Sequence, residues 1–140
     1  MHYIDTSVLT GCYCAEARSE RVQRALSAIA EPAISPLVEV EFHCAVARKV
    51  RAGAMDRSAG VRVFSEFQLH LAEPRFRILE VQRTDYAVAR EWIARMVTPL
   101  RVFDAIHLAV AYSNGLTLVT ADEVLAQAAR HFGVKHKLIS

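Results

Sequence analysis

Hydrophobic positions along the chain follow two different periods. Short runs rich in β-branched and aromatic residues predict five strands, at residues 1–4, 32–35, 76–81, 116–120 and 135–139. Between these runs, apolar residues recur every three or four positions, which predicts amphipathic helices. The helices are expected at residues 7–18, 20–30, 36–51, 55–72, 84–96, 104–113 and 122–132. This alternation predicts an α/β sandwich, a parallel sheet with helices on both faces.

Composition narrows the class of protein without changing the predicted fold. A chain of 140 residues suits one domain spanning 1–140 and can bury roughly two-thirds of its unfolded surface. No apolar run approaches the roughly 20 residues that cross a bilayer, and no leader is visible, so we expect a cytoplasmic protein with no membrane partner. The net charge of +2 is too small to identify a nucleic-acid partner. The spacing of Cys12, Cys14 and Cys44 suggests reduced thiols rather than a zinc site.

Four acidic residues fall near the predicted ends of strands. Asp5 ends the first strand, and Glu41 lies about one and a half turns into the helix after the second. Asp104 begins the helix that leads into the fourth strand, and Asp122 follows that strand. The carboxyl ends of parallel strands share one edge of the sheet, where ligands bind in open α/β folds. We therefore expect the four side chains to lie near one another.

Each acid also has an ordinary structural explanation. Asp5 and Asp104 can be helix N-caps, residues 120–123 resemble a capping box, and Glu41 can pair with Arg48. Four carboxylates at one edge, however, repel one another unless a cation neutralises them, and all-oxygen sites suit Mg²⁺ or Mn²⁺. Such a site favours hydrolysis of phosphodiesters by metal-activated water. A carboxylate pair acting on sugars would need only two of the acids.

Four motifs together resemble the PIN domain and, more narrowly, the VapC toxins of bacterial toxin–antitoxin systems. They are Ile4-Asp5-Thr6-Ser7, Ser35 followed six residues later by Glu41, Phe103-Asp104-Ala105-Ile106-His107-Leu108-Ala109, and Val119-Thr120-Ala121-Asp122. The resemblance implies a three-layer sandwich whose five-stranded parallel sheet has the order 3-2-1-4-5. It also implies a Mg²⁺- or Mn²⁺-dependent endoribonuclease that is a homodimer and is inhibited by a VapB-like antitoxin.

The same resemblance assigns roles to individual residues. Asp5, Glu41, Asp104 and Asp122 form the implied catalytic quartet. Asp5 and Asp104 would be the most direct metal ligands, while Asp122 and Glu41 would position water or a second ion. Thr6 and Thr120 would orient carboxylates through hydrogen bonds. The roles of two further residues are left open. Glu39 is an alternative to Glu41, and His107 is expected to be structural or to support the ligands rather than bind metal.

Two other functions remain possible from the sequence. The chain could be a PIN nuclease that processes RNA without an antitoxin, or a non-catalytic module that binds nucleic acid or protein on the same fold. Several basic residues are candidates for contacting RNA phosphates, although the sequence does not place them beside the acids; they are Arg48, Lys49, Arg51, Arg83 and Arg101.

Overall fold

A computed structural model describes all 140 residues of the protein. Its strands are β1 (His2–Ile4), β2 (Pro32–Ile34), β3 (Arg77–Ile78), β4 (Thr117–Thr120) and β5 (His136–Leu138). Its helices are α1 (Thr6–Tyr13), α2 (Ser19–Ser27), α3 (Pro36–Arg51), α4 (Arg57–Ala72), α5 (Arg83–Ala94), α6 (Val102–Ser113) and α7 (Glu123–His131). The strands form one sheet in the order β3-β2-β1-β4-β5, and every pairing is parallel. The predicted fold class and the strand order are confirmed.

The sheet centre and α6 form the core that holds the acidic edge in place. Tyr3 and Ile4 of β1 and Val119 of β4 are completely buried. All residues from Ala105 to Ala111 of α6 are buried as well. A helix that is apolar on all sides must be enclosed by other elements, and α6 packs against both α5 and β4. This buried segment fixes α6 beside the sheet, and Asp104 lies immediately before it.

The largest differences from the predicted bounds are in the first helix and the third strand, which are both shorter in the structure. The first helix was expected to reach residue 18, but α1 ends at Tyr13. There the Ser19 hydroxyl donates to the Cys14 carbonyl at 2.7 Å and accepts from the Glu16 N–H at 2.8 Å, which replaces helical bonds with a local turn. β3 includes only Arg77–Ile78 of the predicted residues 76–81, as is common for a strand at the edge of a sheet.

The order of the strands creates a crevice between β1 and β4. From β1 the chain passes to β2 on one side of the sheet, and β4 lies on the other side. Ligands of open parallel sheets bind beyond the carboxyl ends at such a switch point. Asp5 follows β1 and Asp122 lies two residues beyond β4, so both are at this position. No helix of the structure has the length and apolar character needed to cross a membrane.

Candidate active site

Asp5 lies at the base of the crevice and is almost completely buried, with 4% of its surface exposed. Its Oδ1 accepts hydrogen bonds from the Ser7 hydroxyl at 2.6 Å and the Val8 backbone N–H at 3.2 Å. Its Oδ2 accepts from the Thr120 hydroxyl at 2.6 Å. Burial raises the pKa of Asp5, and these hydrogen bonds oppose the shift. Asp5 is thus the N-cap of α1 and is also held against β4 by Thr120.

Glu41 is the acid of α3 that reaches the site. The Thr6 hydroxyl donates to Glu41 Oε1 at 2.8 Å, and His107 Nε2 hydrogen-bonds the same oxygen. Burial acts to raise the pKa of Glu41, but its hydrogen bonds with His107 and Thr6 lower it overall. Arg48, the alternative partner expected from the sequence, makes no ion pair with Glu41 and instead approaches Cys44 Sγ at 4.0 Å. Glu39, the alternative acid, does not line the cleft. Its only hydrogen bond outside the helix ladder is between its backbone carbonyl and His43 Nδ1, at 2.7 Å.

Among the four acids, Asp104 has the fewest hydrogen-bond partners in the protein. The alternative explanation of Asp104 as the N-cap of its helix is wrong, because α6 begins at Val102 with Arg101 as its N-cap. No hydrogen bond supports its half-buried carboxylate. Burial and the charge of Asp122 raise its pKa, and Asp5 and Glu41 add to this effect while His107 opposes it. The carboxylates are therefore close enough to repel one another.

Asp122 combines a structural role with a position at the site. The capping box expected at residues 120–123 is not formed, because α7 begins at Glu123 and Asp122 itself is the N-cap. Asp122 Oδ1 accepts from the backbone N–H groups of Val124 at 2.9 Å and Leu125 at 3.4 Å. The Thr120 hydroxyl accepts from the Asp122 N–H at 3.0 Å. Thr120 thus contacts both Asp5 and Asp122.

A cleft of about 520 Å³ brings three of the four acids together. It is lined by Glu41, Arg48, Pro99, Arg101, Phe103, Asp104, Asp122 and Val124. Asp5 is not part of the lining, but Thr120 links it to Asp122 by hydrogen bonds. The other basic candidates, Lys49, Arg51 and Arg83, do not line the cleft, and Lys49 pairs with Glu16 at 2.9 Å. A larger cavity of about 700 Å³, between α2 and α4, contains none of the quartet.

The donor set of this cleft fits a hard divalent cation. Oxygen ligands suit Mg²⁺ and Mn²⁺. Burial and the neighbouring carboxylates raise the pKa of Asp104, and a bound cation would oppose both effects. No three His, Cys, Asp or Glu side chains converge closely enough to form a preformed metal-binding group. Mg²⁺ commonly uses only one or two carboxylates and keeps several waters, so two of the three acids that line the cleft would be enough to hold it.

A buried set of polar residues contacts Glu41, and the sequence indicated only one of them, His107, as a structural or supporting residue. His107 is 2% exposed, and its Nδ1 lies 2.8 Å from the hydroxyl of Tyr3, which is 2.8 Å from Ser35 Oγ. Tyr3 fits the pattern of a core strand residue, and Ser35 the pattern of a helix cap. Only the tertiary structure reveals that they contact His107, because Tyr3 and His107 are 104 positions apart.

These observations define a class of protein: a parallel α/β sandwich with a carboxylate-lined cleft at its topological switch point. The family model of the PIN domain matches residues 2–131. The chain therefore belongs to the PIN domain family. Among curated proteins, none matches the chain significantly in sequence.

Several solved structures are similar to this chain. VapC20 from Mycobacterium tuberculosis, a toxin that cleaves the sarcin-ricin loop, is 20% identical with a TM-score of 0.74, over 91% of this chain and 95% of that one. VapBC2 from Rickettsia felis, bound to a DNA fragment from its promoter, is 16% identical with a TM-score of 0.74 over 100% of both chains. A toxin–antitoxin complex from Klebsiella pneumoniae is 20% identical with a TM-score of 0.62 over 87% of each chain. At these identities the likeness establishes a shared fold.

Proposed function

We propose that this protein is a Mg²⁺- or Mn²⁺-dependent endoribonuclease that hydrolyses RNA phosphodiester bonds. The observation that carries the proposal is the cleft lined by Glu41, Asp104 and Asp122, in which the Asp104 carboxylate is free of hydrogen bonds. Membership of the PIN domain family and likeness to a toxin that cleaves the sarcin-ricin loop support the same chemistry.

The four acids would divide the work according to their surroundings. Asp104 and Asp122, which line the cleft, would hold the cation, and buried Asp5, which Thr120 links to Asp122, would complete the site. The bound cation would supply Lewis-acid stabilisation of the phosphate and lower the pKa of water. Glu41, whose pKa is lowered, is ionised at neutral pH and would orient the attacking water through a hydrogen bond.

The rim of the cleft has the side chains that an RNA strand requires. Arg48 and Arg101 are exposed beside the acids and would contact phosphates. Phe103 also lines the cleft and is 51% exposed, which suits stacking on an unpaired base. This combination favours a single-stranded or looped RNA substrate over a regular duplex.

We also propose that the protein is the toxin of a toxin–antitoxin pair, inhibited by a VapB-like antitoxin. The support is its likeness to proteins solved as VapBC and toxin–antitoxin complexes. Expression of the chain alone should arrest growth, and co-expression of a small protein encoded beside it should restore growth and co-purify with it. Growth arrest with no neighbouring antitoxin gene would favour an RNA-processing PIN nuclease.

The proposal includes a homodimer. An apolar groove on α5 and α6 is lined by Tyr86, Ala89, Arg90, Ile93, Ala94, Val102 and Ile106. Tyr86 is 53% exposed and Val102 61%, which is unusual for adjacent large apolar residues on a monomer. Light scattering on the purified chain should give twice its 15.6 kDa mass, and a monomer would refute this part of the proposal.

Metal binding and RNA cleavage test the function separately. Mg²⁺ or Mn²⁺ should raise the melting temperature by mass action, and sequencing of RNA 5′ ends after expression should reveal discrete cleavage positions. If neither ion changes the melting temperature and no RNA is cleaved, the non-catalytic binding module becomes the better account.

A further inference from the structure

A continuous chain of hydrogen bonds runs through the core and ends at Glu41. It passes from Ser35 Oγ to the Tyr3 hydroxyl over 2.8 Å and from that hydroxyl to His107 Nδ1 over 2.8 Å. His107 Nε2 then hydrogen-bonds Glu41 Oε1, which also accepts from the Thr6 hydroxyl at 2.8 Å. We refer to Ser35, Tyr3, His107 and Glu41 as the Tyr3–His107 relay.

The inner members of the relay are isolated from solvent. Tyr3 and Ser35 are completely buried, and His107 is 2% exposed. Polar groups at such positions are costly unless each is hydrogen-bonded. Ser35 occupies the N-cap position of α3 but forms no capping hydrogen bond with its side chain. Its hydroxyl contacts Tyr3 instead, so a typical local role is replaced by a tertiary one.

One direction of donation satisfies every member of the relay. His107 Nε2 faces a carboxylate oxygen and donates to it, which leaves Nδ1 to accept. The Tyr3 hydroxyl then donates to Nδ1 and accepts from the Ser35 hydroxyl. Each donor then points towards Glu41.

The relay leaves one oxygen of Glu41 available to the cleft. Oε1 accepts from both Thr6 and His107, whereas Oε2 has no hydrogen-bond partner in the protein. Glu41 is only half-buried and lines the acidic cleft. The contacts on Oε1 restrict rotation of a long, flexible side chain and thereby fix the direction of Oε2.

We propose that Tyr3 and His107 are positioning residues, which hold Glu41 so that its second carboxylate oxygen faces the water or RNA in the cleft. The inference rests on the proposed nuclease function and deepens it. Partners that orient the groups around a metal are commonly worth 10–100-fold in activity, so we expect a loss of about that size when the relay is broken. The competing explanation is a buried polar cluster that only stabilises the fold.

Two substitutions of His107 separate these explanations. His107→Gln keeps a nitrogen donor near the position of Nε2, whereas His107→Asn is too short to reach Glu41. For cleavage of single-stranded RNA in saturating Mg²⁺, His107→Asn should lower kcat by roughly 10–100-fold and change KM by less than about 3-fold. His107→Gln should recover part of kcat. His43→Asn is the matched control, since His43 hydrogen-bonds only the Glu39 carbonyl and should retain full kcat.

A double-mutant cycle tests whether His107 acts through Glu41. In a Glu41→Gln background, His107→Asn should cause no further loss of kcat, because the group that it positions is already disabled. Tyr3→Phe keeps the volume of the ring and removes only the hydroxyl. It should lower kcat by less than His107→Asn does, again with little change in KM. This second variant is informative if His107→Asn folds poorly.

A readout without metal or RNA distinguishes failure of the inference from failure of the proposed function. Urea unfolding midpoints in EDTA should be non-additive for Glu41→Gln and His107→Asn. Suppose that the wild type cleaves RNA. The inference is then wrong if folded His107→Asn keeps full kcat, or if His107→Asn lowers kcat as much in the Glu41→Gln background as it does in the wild type. If the wild type cleaves nothing, additive midpoints overturn the inference, whereas non-additive midpoints support the positioning contact and only the nuclease proposal fails.

Discussion

Asp104 carries a negative charge that its surroundings oppose. Burial and the charge of Asp122 raise its pKa, so between the unfolded and folded pKa values the folded chain binds more protons than the unfolded chain. Stability therefore falls as pH rises through that window. The ionised Asp104 is a destabilising group at neutral pH unless a cation is bound.

Asp104→Asn should therefore stabilise the metal-free protein, and increasingly so at higher pH. In EDTA, urea unfolding at several pH values from about 4 to about 8 should show a growing advantage of the variant over the wild type. Glu39→Gln, on the neighbouring helix, is the control and should show no such trend. Adding Mg²⁺ should stabilise the wild type but not Asp104→Asn. A variant less stable than wild type at neutral pH would contradict this account.

The Thr120 hydroxyl supports two groups at the base of the cleft. It donates to Asp5 Oδ2 at 2.6 Å and accepts from the Asp122 N–H at 3.0 Å. Thr120→Val keeps the shape of the side chain but leaves buried Asp5 short of a donor, which should lower the free energy of unfolding by about 1–3 kcal/mol.

Urea denaturation of Thr120→Val and of a second β4 variant checks this prediction. Thr117→Val is the matched control, since the Thr117 side chain makes no hydrogen bond, and should change the free energy of unfolding by less than about 0.5 kcal/mol. Equal effects of the two substitutions would show that the Asp5 contact contributes nothing specific.

At the residue scale, sequence patterns identified the acids of the site better than the residues that hold them by hydrogen bonds. Strand ends and family motifs singled out Asp5, Glu41, Asp104 and Asp122, and the apolar flanks favoured Glu41 over Glu39. The Tyr3–His107 relay was not predictable, because its contacts are distant in sequence: Tyr3 is 32 positions from Ser35 and 104 positions from His107. Pairing of buried polar groups is decided by packing in three dimensions, which local patterns do not contain.

At the scale of elements, α7 begins at a residue with two roles that substitution can separate. Asp122 accepts from two backbone N–H groups as the N-cap. Asn caps about as well as Asp, whereas Ala costs roughly 0.5–2 kcal/mol. Asp122→Asn should thus keep the free energy of unfolding near that of wild type, and Asp122→Ala should lower it. Both should reduce RNA cleavage, by about 10–100-fold.

Denaturation and cleavage assays on the two Asp122 variants give the comparison. If Asp122→Asn retains full activity, the carboxylate is only a cap and takes no part in the site. If Asp122→Asn unfolds as readily as Asp122→Ala, the charge rather than the hydrogen bonds stabilises α7.

The sequence predicted every element, while several boundaries depended on tertiary contacts. Hydrophobic periodicity gave the bounds of α3, Pro36–Arg51, without error. It placed the starts of α6 and α7 at acids, because Asp is a common cap, but α6 begins two residues earlier, at Val102. As a result Asp104 lies inside the first turn of α6, where its carboxylate is not used for capping.

At the scale of the whole molecule, the arginines and the acids share one cleft. Arg48 from α3 and Arg101 before α6 line the same cleft as Asp104. Their positive charges can therefore offset the repulsion between an RNA phosphate and the carboxylates. Removing both arginines should weaken binding of single-stranded RNA. It should also lower the slope of log affinity against log salt by roughly 0.7 for each phosphate that is no longer neutralised.

Titrations in the inactive Asp104→Asn background would measure this effect. The double variant Arg48→Ala/Arg101→Ala should bind more weakly with a smaller salt slope. Arg24→Ala is the control, because Arg24 is exposed, pairs with Glu20 at 3.8 Å and does not line the cleft. An unchanged slope in the double variant would place the RNA-binding surface elsewhere.

The most direct test of the nuclease proposal is the rate of RNA cleavage by Asp104→Asn. In millimolar Mg²⁺, the wild type and Glu39→Gln should cleave single-stranded RNA at similar rates, and EDTA should stop both. Folded Asp104→Asn should be at least about 100-fold slower, because the carboxylate with the fewest protein partners is the one left for the cation. Cleavage by folded Asp104→Asn at the wild-type rate, or wild-type cleavage that persists in EDTA, would contradict the account.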